Sequence, residues 1–165
     1  MSADLIIRRA GLWDTGAMAD LLNQIIATGG TTALTDPVTA DDLAGWMRTG
    51  GARAIWHVAE TNQGQVVGFQ WIEPHPELPG DTCSIATFVQ MGQTGLGIGS
   101  RLFDATRGAA KDLGYRWISA LIRADNAGGL TYYQSRGFET YGRLPNAVLP
   151  DGQVVDKILK RFDLD

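Results

Sequence analysis

The chain has one cysteine, Cys83, only two histidines, and no apolar run approaching the ~20 residues that a bilayer crossing demands. A single cysteine cannot form an internal disulfide, which suits a reducing cytosol and a cytoplasmic location. Cys83 reads as a buried small hydrophobe. No His, Cys and carboxylate group has metal-ligand spacing, so no metal is expected. There is no basic block, and the formal net charge is −4, which argues against a nucleic-acid partner. Met1-Ser2-Ala3-Asp4 does not begin a basic-then-apolar leader, so neither a signal peptide nor a membrane partner is expected. No repeat, linker or low-complexity segment interrupts the 165 residues, which fit one domain spanning 1–165.

What is present is an alternation of short apolar runs and helical patterns. Leu5 to Arg8 predicts a first strand. Asp14 or Thr15 can cap a helix whose apolar stripe is Met18, Leu21, Leu22, Ile25 and Ile26, and Gly29-Gly30 stops it. A polar loop, Thr31 to Pro37, precedes a second helix capped by Thr39, with Leu43, Trp46 and Met47 inward. Ala54–Glu60 and Val66–Glu73 read as strands joined by the Asn62-Gln63-Gly64 turn. Cys83–Val89 is a further strand, Ile98–Leu113 a helix and Trp117–Ile122 a strand. Asn126–Ser135 is a short helix, and Glu139–Leu144 and Val154–Phe162 are the last strands. The order β-α-α-β-β-β-α-β-α-β-β predicts an α/β (α+β) fold. Its sheet is mixed and mostly antiparallel, with helices on both faces and one parallel pair across the strand-helix-strand crossover.

The densest signal is the turn between the strand ending at Val89 and the helix opening at Ile98. Gly95, Gly97 and Gly99 strip side chains from the start of that helix, where bare N–H groups and the positive end of the dipole form an anion cradle. A Walker loop needs Gly-Lys-Ser/Thr, but Gly99 is followed by Ser100-Arg101. A dinucleotide fingerprint needs G-x-G-x-x-G and a later acidic strand end. This loop is G-x-G-x-G, and the next strand ends in Arg123.

The strand, the loop Thr94-Gly95-Leu96-Gly97-Ile98-Gly99, and the later segment Asn126 through Tyr132-Tyr133 to Arg136-Gly137-Phe138 together resemble the GCN5-related N-acetyltransferase family. The likeness extends to its phosphinothricin and methionine sulfoximine branch through Asn23, Thr31-Thr32, Thr39, Gly142–Pro145 and Asp151–Asp156. The resemblance implies a fold in which a splayed strand pair holds acetyl-CoA as co-substrate, with a small amine, an amino acid or analogue such as phosphinothricin or methionine sulfoximine, as acceptor. It implies coenzyme contacts from Phe88, Val89, Thr94, Gly95, Leu96, Gly97, Ile98, Gly99, Ser100, Asn126 and Tyr133. Relatives commonly form homodimers, and an exposed Trp46 or Trp71 is expected to serve one.

The chemistry of acyl transfer to an amine asks for three things. The thioester carbonyl needs a preorganised donor, which the resemblance puts at the Val89 backbone N–H. The departing thiolate needs a proton donor, a role that falls to Tyr133, while Tyr132 reads as packing. The ammonium needs a base. The branch carries Glu five residues before the Val89 position, where this chain has Ser84, whose hydroxyl cannot take up a proton at neutral pH. Glu73 is the nearest carboxylate, the alternative being a solvated strand-end charge; His75 and Asp81 rank below it. His57 reads as structural and Asp156 as a tail acid of unknown facing. Thr94 in place of Arg or Gln, together with Ser84, keeps open a second reading: an acyl-CoA-binding module that has lost catalysis.

Overall fold

A computed structural model describes residues 5–92 and 97–164. Loop positions Thr94, Gly95 and Leu96 lie outside the described residues. The elements are β1 (Leu5–Arg9), α1 (Thr15–Thr28), α2 (Ala40–Gly50), β2 (Ile55–Thr61), β3 (Val66–Glu73) and β4 (Thr82–Val89). They continue with α3 (Ile98–Asp112), β5 (Trp117–Arg123), α4 (Ala127–Ser135), β6 (Glu139–Val148) and β7 (Val154–Asp163).

Local chemistry explains most boundaries. Thr39 Oγ1 accepts the Asp42 N–H (3.1 Å) while the Asp42 carboxylate accepts the Thr39 N–H (2.9 Å), a reciprocal capping box at the start of α2. Asp14 does not cap α1 as expected. Its carboxylate turns back to the Gly11 N–H and takes a two-pronged pair from Arg8 (2.8 and 2.9 Å), which also holds Glu60. That stronger charge-assisted bond outcompetes a cap. β6 runs past the expected Leu144 because Pro145 and Asn146 together oppose Asp156 in a bulge at the outer edge of the sheet, where a proline costs no ladder bond. Asp156 serves that bulge: it accepts the Asn146 N–H (2.9 Å) and pairs with Arg143 (2.5 Å), outside any cleft.

The seven strands lie in the order β1-β2-β3-β4-β5-β7-β6. Every neighbouring pair is antiparallel except β4 and β5, the pair joined through α3. α1 and α2 cover one face with Met18, Leu22 and Leu43 against Trp56, Val58 and Phe69. On the other face α3 and α4 bring Ile98, Leu102, Phe103 and Tyr133 against Val67, Cys83, Ile85, Ile118 and Ile122. Among the described residues no helix is long and apolar enough to cross a membrane.

α3 approaches the sheet closely because β3 offers it a glycine. A Cβ on Gly68 would stand 2.8 Å from Ile98 Cγ2, inside contact distance of the first residue of α3. Gly68→Ala is expected to lower stability by about 1–3 kcal/mol through overpacking, measured by urea unfolding. An unchanged midpoint would show that α3 is free to move away.

Candidate active site

β4 and β5 pair from Thr82↔Trp117 to Ile85↔Ala120 and then part, although β4 continues to Val89 and β5 to Arg123. The opening is a cleft of ≈ 180 Å³, bounded by Ile85–Phe88 on one side and Leu121–Arg123 on the other. Asn126, Tyr133, Lys157 and the 31–33 loop close it. The parting leaves main-chain groups of β4 without a strand partner. Gln90 gives its N–H to Val67 of β3 (2.8 Å). N–H groups alternate between the two edges of a strand, so Val89 and Thr87 turn theirs to the open edge.

At the head of the same cleft, α3 begins. Gly97 sits at the N-cap with φ 66°, a left-handed conformation that favours glycine, and no side chain caps the helix. The first N–H groups of α3, on Ile98, Gly99 and Ser100, have no intrahelical acceptor by construction. Gly99 is required by a neighbour: a Cβ there would meet the Tyr132 ring at 2.7 Å. Ser100 Oγ accepts a bond from Arg136, the arginine before Gly137-Phe138.

α4 sends Tyr133 into the floor of the cleft, where it is buried and its hydroxyl lies 2.8 Å from Thr87 Oγ1. Burial pushes the Tyr133 pKa well above the ordinary tyrosine value, opposed by the Thr87 bond, so it stays protonated at neutral pH. Thr87 belongs to a chain of polar groups beneath the sheet. Fully buried Gln70 donates through Nε2 to Thr87 Oγ1 (2.8 Å) and to the Tyr132 hydroxyl (3.1 Å), and Tyr132 donates to the Gly99 carbonyl (2.7 Å). Tyr132 is therefore more than packing: it ties α4 to the first turn of α3. Gln70 Oε1 is buried without a partner. Gln70 and Thr87 were not singled out by sequence reasoning. The available signal was a glutamine in the middle of an apolar strand.

Asn126 caps α4 by accepting the Gly129 N–H (3.0 Å) and donates to the Thr31 carbonyl (3.0 Å). Arg123, paired with Asp125 (2.7 Å), donates to the Thr32 carbonyl (3.0 Å), so the loop between α1 and α2 is held against β5. Glu73 is not a solvated strand end. It is half-buried beneath the end of α2, its Oε1 3.3 Å from where a Cβ on Gly50 would stand, and its pKa is raised by burial, against the Trp71 hydrogen bond and the nearby His75. Ser84 Oγ donates to the Glu73 carbonyl (3.4 Å).

Trp46 and Trp71 are not exposed. Trp71 stacks on Trp56 at 4.0 Å, with Trp46 at 6.0 Å and Phe88 at 5.9 Å, in a half-buried aromatic group. His57 is buried in β2, its pKa lowered to about 4 by burial and by Arg9. Among the described residues no group of three or more His, Cys, Asp or Glu is placed to hold a metal.

Residues 18–138 match the model of the acetyltransferase (GNAT) family. The chain is 29% identical over 160 residues to a Bacillus subtilis (strain 168) protein named "Putative phosphinothricin acetyltransferase YwnH", with 95% of this chain and 98% of that one covered. It also superposes on an N-acetyltransferase from Staphylococcus aureus Mu50 with a TM-score of 0.87 at 27% identity, covering 98% and 99% of the two chains. A third similar structure is yncA from Salmonella typhimurium, solved with its cofactor acetyl-CoA, with a TM-score of 0.86 at 22% identity and 98% and 95% coverage.

Burial of these groups sets a pH window for stability. Cys83 is raised from 9.0 to about 12 and Tyr132 from 10.0 to about 12, both chiefly by burial. Each ionises in the unfolded chain before it ionises in the fold. Its contribution is therefore intact below its unfolded value and lost as pH rises toward its folded one. The urea midpoint is expected to fall between pH 9.0 and about 12, and Tyr132→Phe to flatten the upper part. A flat midpoint across that range would contradict the burial argument. His57, lowered from 6.5 to about 4, predicts a separate loss as pH falls through that interval.

Proposed function

The chain belongs to the acetyltransferase (GNAT) family, and from that premise we propose that it is an acetyl-CoA-dependent N-acetyltransferase acting on the amine of a small molecule. The observation that carries this reading is the parting of β4 from β5 beside the uncapped start of α3. One feature supplies edge amides and the other a cluster of helix N–H groups, the donors that a pantetheine arm and a diphosphate need.

Gly97, Ile98, Gly99 and Ser100 would hold the diphosphate, with Thr94, Gly95 and Leu96 of the same loop beside them. Phe88, Val89 and Asn126 would hold the arm. When bound, the coenzyme supplies an activated acetyl thioester. The Val89 N–H is the donor for its carbonyl. Thr87 Oγ1 already accepts from Gln70, so its own hydrogen is available to the Tyr133 oxygen (2.8 Å). That arrangement leaves the Tyr133 O–H free to donate where the sulfur departs. Glu73 is the base of the reading, because a carboxylate with a raised pKa is better matched to taking a proton from an ammonium than an ordinary one. Support for an amino acid or analogue such as phosphinothricin as acceptor comes from the B. subtilis relative. A homodimer is part of the proposal. Trp46 and Trp71 cannot mediate it, whereas exposed Leu144, Val148 and Val154 on the β6–β7 hairpin present apolar surface.

Ser84 in place of the branch carboxylate favours a second reading, a module that binds acyl-CoA without turning it over. A thiol-detection assay over a panel of amines, run beside a coenzyme thermal-shift titration, separates the two. The expected result is amine-dependent thiol release with Tyr133→Phe and Glu73→Gln each lowering kcat by about 10²–10⁴-fold while coenzyme affinity holds. Coenzyme binding with no turnover on any amine would favour the module, and no coenzyme binding would remove both readings.

A further inference from the structure

A second cleft opens on the α1/α2 face of the sheet, with a volume of ≈ 410 Å³. It shares Thr32, Ala86 and Phe88 with the cleft between β4 and β5, so the two adjoin along β4. Its walls are aromatic: Trp46 from α2 and Trp71 from β3 face each other at 6.0 Å, with Phe88 5.9 Å from Trp71. The one charged residue lining it is Glu73, and no Lys or Arg does so among the described residues. Thr49 stands exposed at its rim on the last turn of α2.

Resting on the acetyltransferase reading above, we propose that this cleft receives the side group of the acceptor, and that the group it takes is apolar and carries no negative charge. Two effects select in the same direction. Trp46, Trp71 and Phe88 offer broad apolar surface to an aryl or alkyl group, and their faces favour an ammonium over an anion. An anionic side group, such as a phosphinate or second carboxylate, would lose its hydration against those rings and meet Glu73 with no cation to compensate. The amine would lie where the two clefts adjoin, drawn toward Glu73 on the wall of the second cleft. Lys157 lines the first cleft and not this one, so it can meet a carboxylate on the α-carbon but not a group lodged among the tryptophans. Among the amino-acid-like acceptors of that reading, the cleft thereby favours those that lack the second negative charge phosphinothricin carries on its side group.

The test compares L-phenylalanine, L-methionine and phenethylamine with L-phosphinothricin and L-glutamate on the full chain. It uses kcat/KM from thiol release and, independently of turnover, quenching of tryptophan fluorescence by each amine. The best apolar acceptor is expected to exceed both anionic ones by at least about tenfold, the scale on which a pocket discriminates side groups, and to quench fluorescence. Thr49→Trp, at an exposed position, should fill the rim and raise KM for the apolar acceptor roughly tenfold with coenzyme affinity unchanged. Thr49→Arg should narrow the gap to phosphinothricin. Preference for phosphinothricin or glutamate, indifference to both Thr49 variants, or no amine binding of either class while coenzyme still binds would overturn the inference alone. Loss of coenzyme binding in the unmodified protein would instead overturn the acetyltransferase reading of the site.

Discussion

The site depends on a hydrogen-bond ladder that stops early. Two parallel strands agree for four residue pairs, Thr82↔Trp117 to Ile85↔Ala120, and then separate. Beyond that point the main chain of β4 has one satisfied edge, toward β3, and one open edge. An open edge inside a sheet carries a strong demand for a partner, because unpaired amides are costly wherever water is scarce. The protein keeps the gap from closing by filling its floor with Tyr133 and by fastening β4 to β3 through the next residues, including Gln90 to Val67. The candidate site is thus the unfinished part of the fold.

Beneath that gap the polar chain from Gly99 through Tyr132, Gln70 and Thr87 to Tyr133 joins four elements that meet at the cleft: the first turn of α3, α4, the centre of β3 and the open half of β4. A buried network of this kind is demanding, since each member must be satisfied by the others. The orphaned Gln70 Oε1 is its one unmet acceptor. Gly68 and Gly99 make the arrangement possible by letting α3 lie against β3 and Tyr132 lie against α3 without intervening side chains.

Much of this was legible in the residues. Gly29, Gly114 and Gly137 end helices, the Thr39 box starts one, and the alternation of strands and helices dictates the single parallel pair. The glycines before α3 are legible from helix-terminus geometry, and Asn126 and Tyr133 from the family resemblance of their segment. What was not legible depends on register between distant strands. Gln70 meets Thr87 only because β3 and β4 align those two residues, and Trp46 and Trp71 are drawn into an aromatic group by the stacking of Trp71 on Trp56, a contact that also depends on strand register. The length of β6 was hidden by its bulge, since a proline inside a strand reads as a stop unless the edge is known to be free. Asp14 was misassigned because Arg8, six residues earlier, claimed its carboxylate.

The loop between α1 and α2 borrows its shape from the far side of the cleft. Its carbonyls at Thr31 and Thr32 are held by Asn126 and Arg123, and Thr32 borders both the gap between the strands and the aromatic cleft. Asn126 also caps α4, the helix that carries Tyr133. One side chain therefore links the wall that both clefts share to the helix that places the Tyr133 hydroxyl in the cleft floor. A ligand that steadied either end of that link would lower the ordering entropy left for the other.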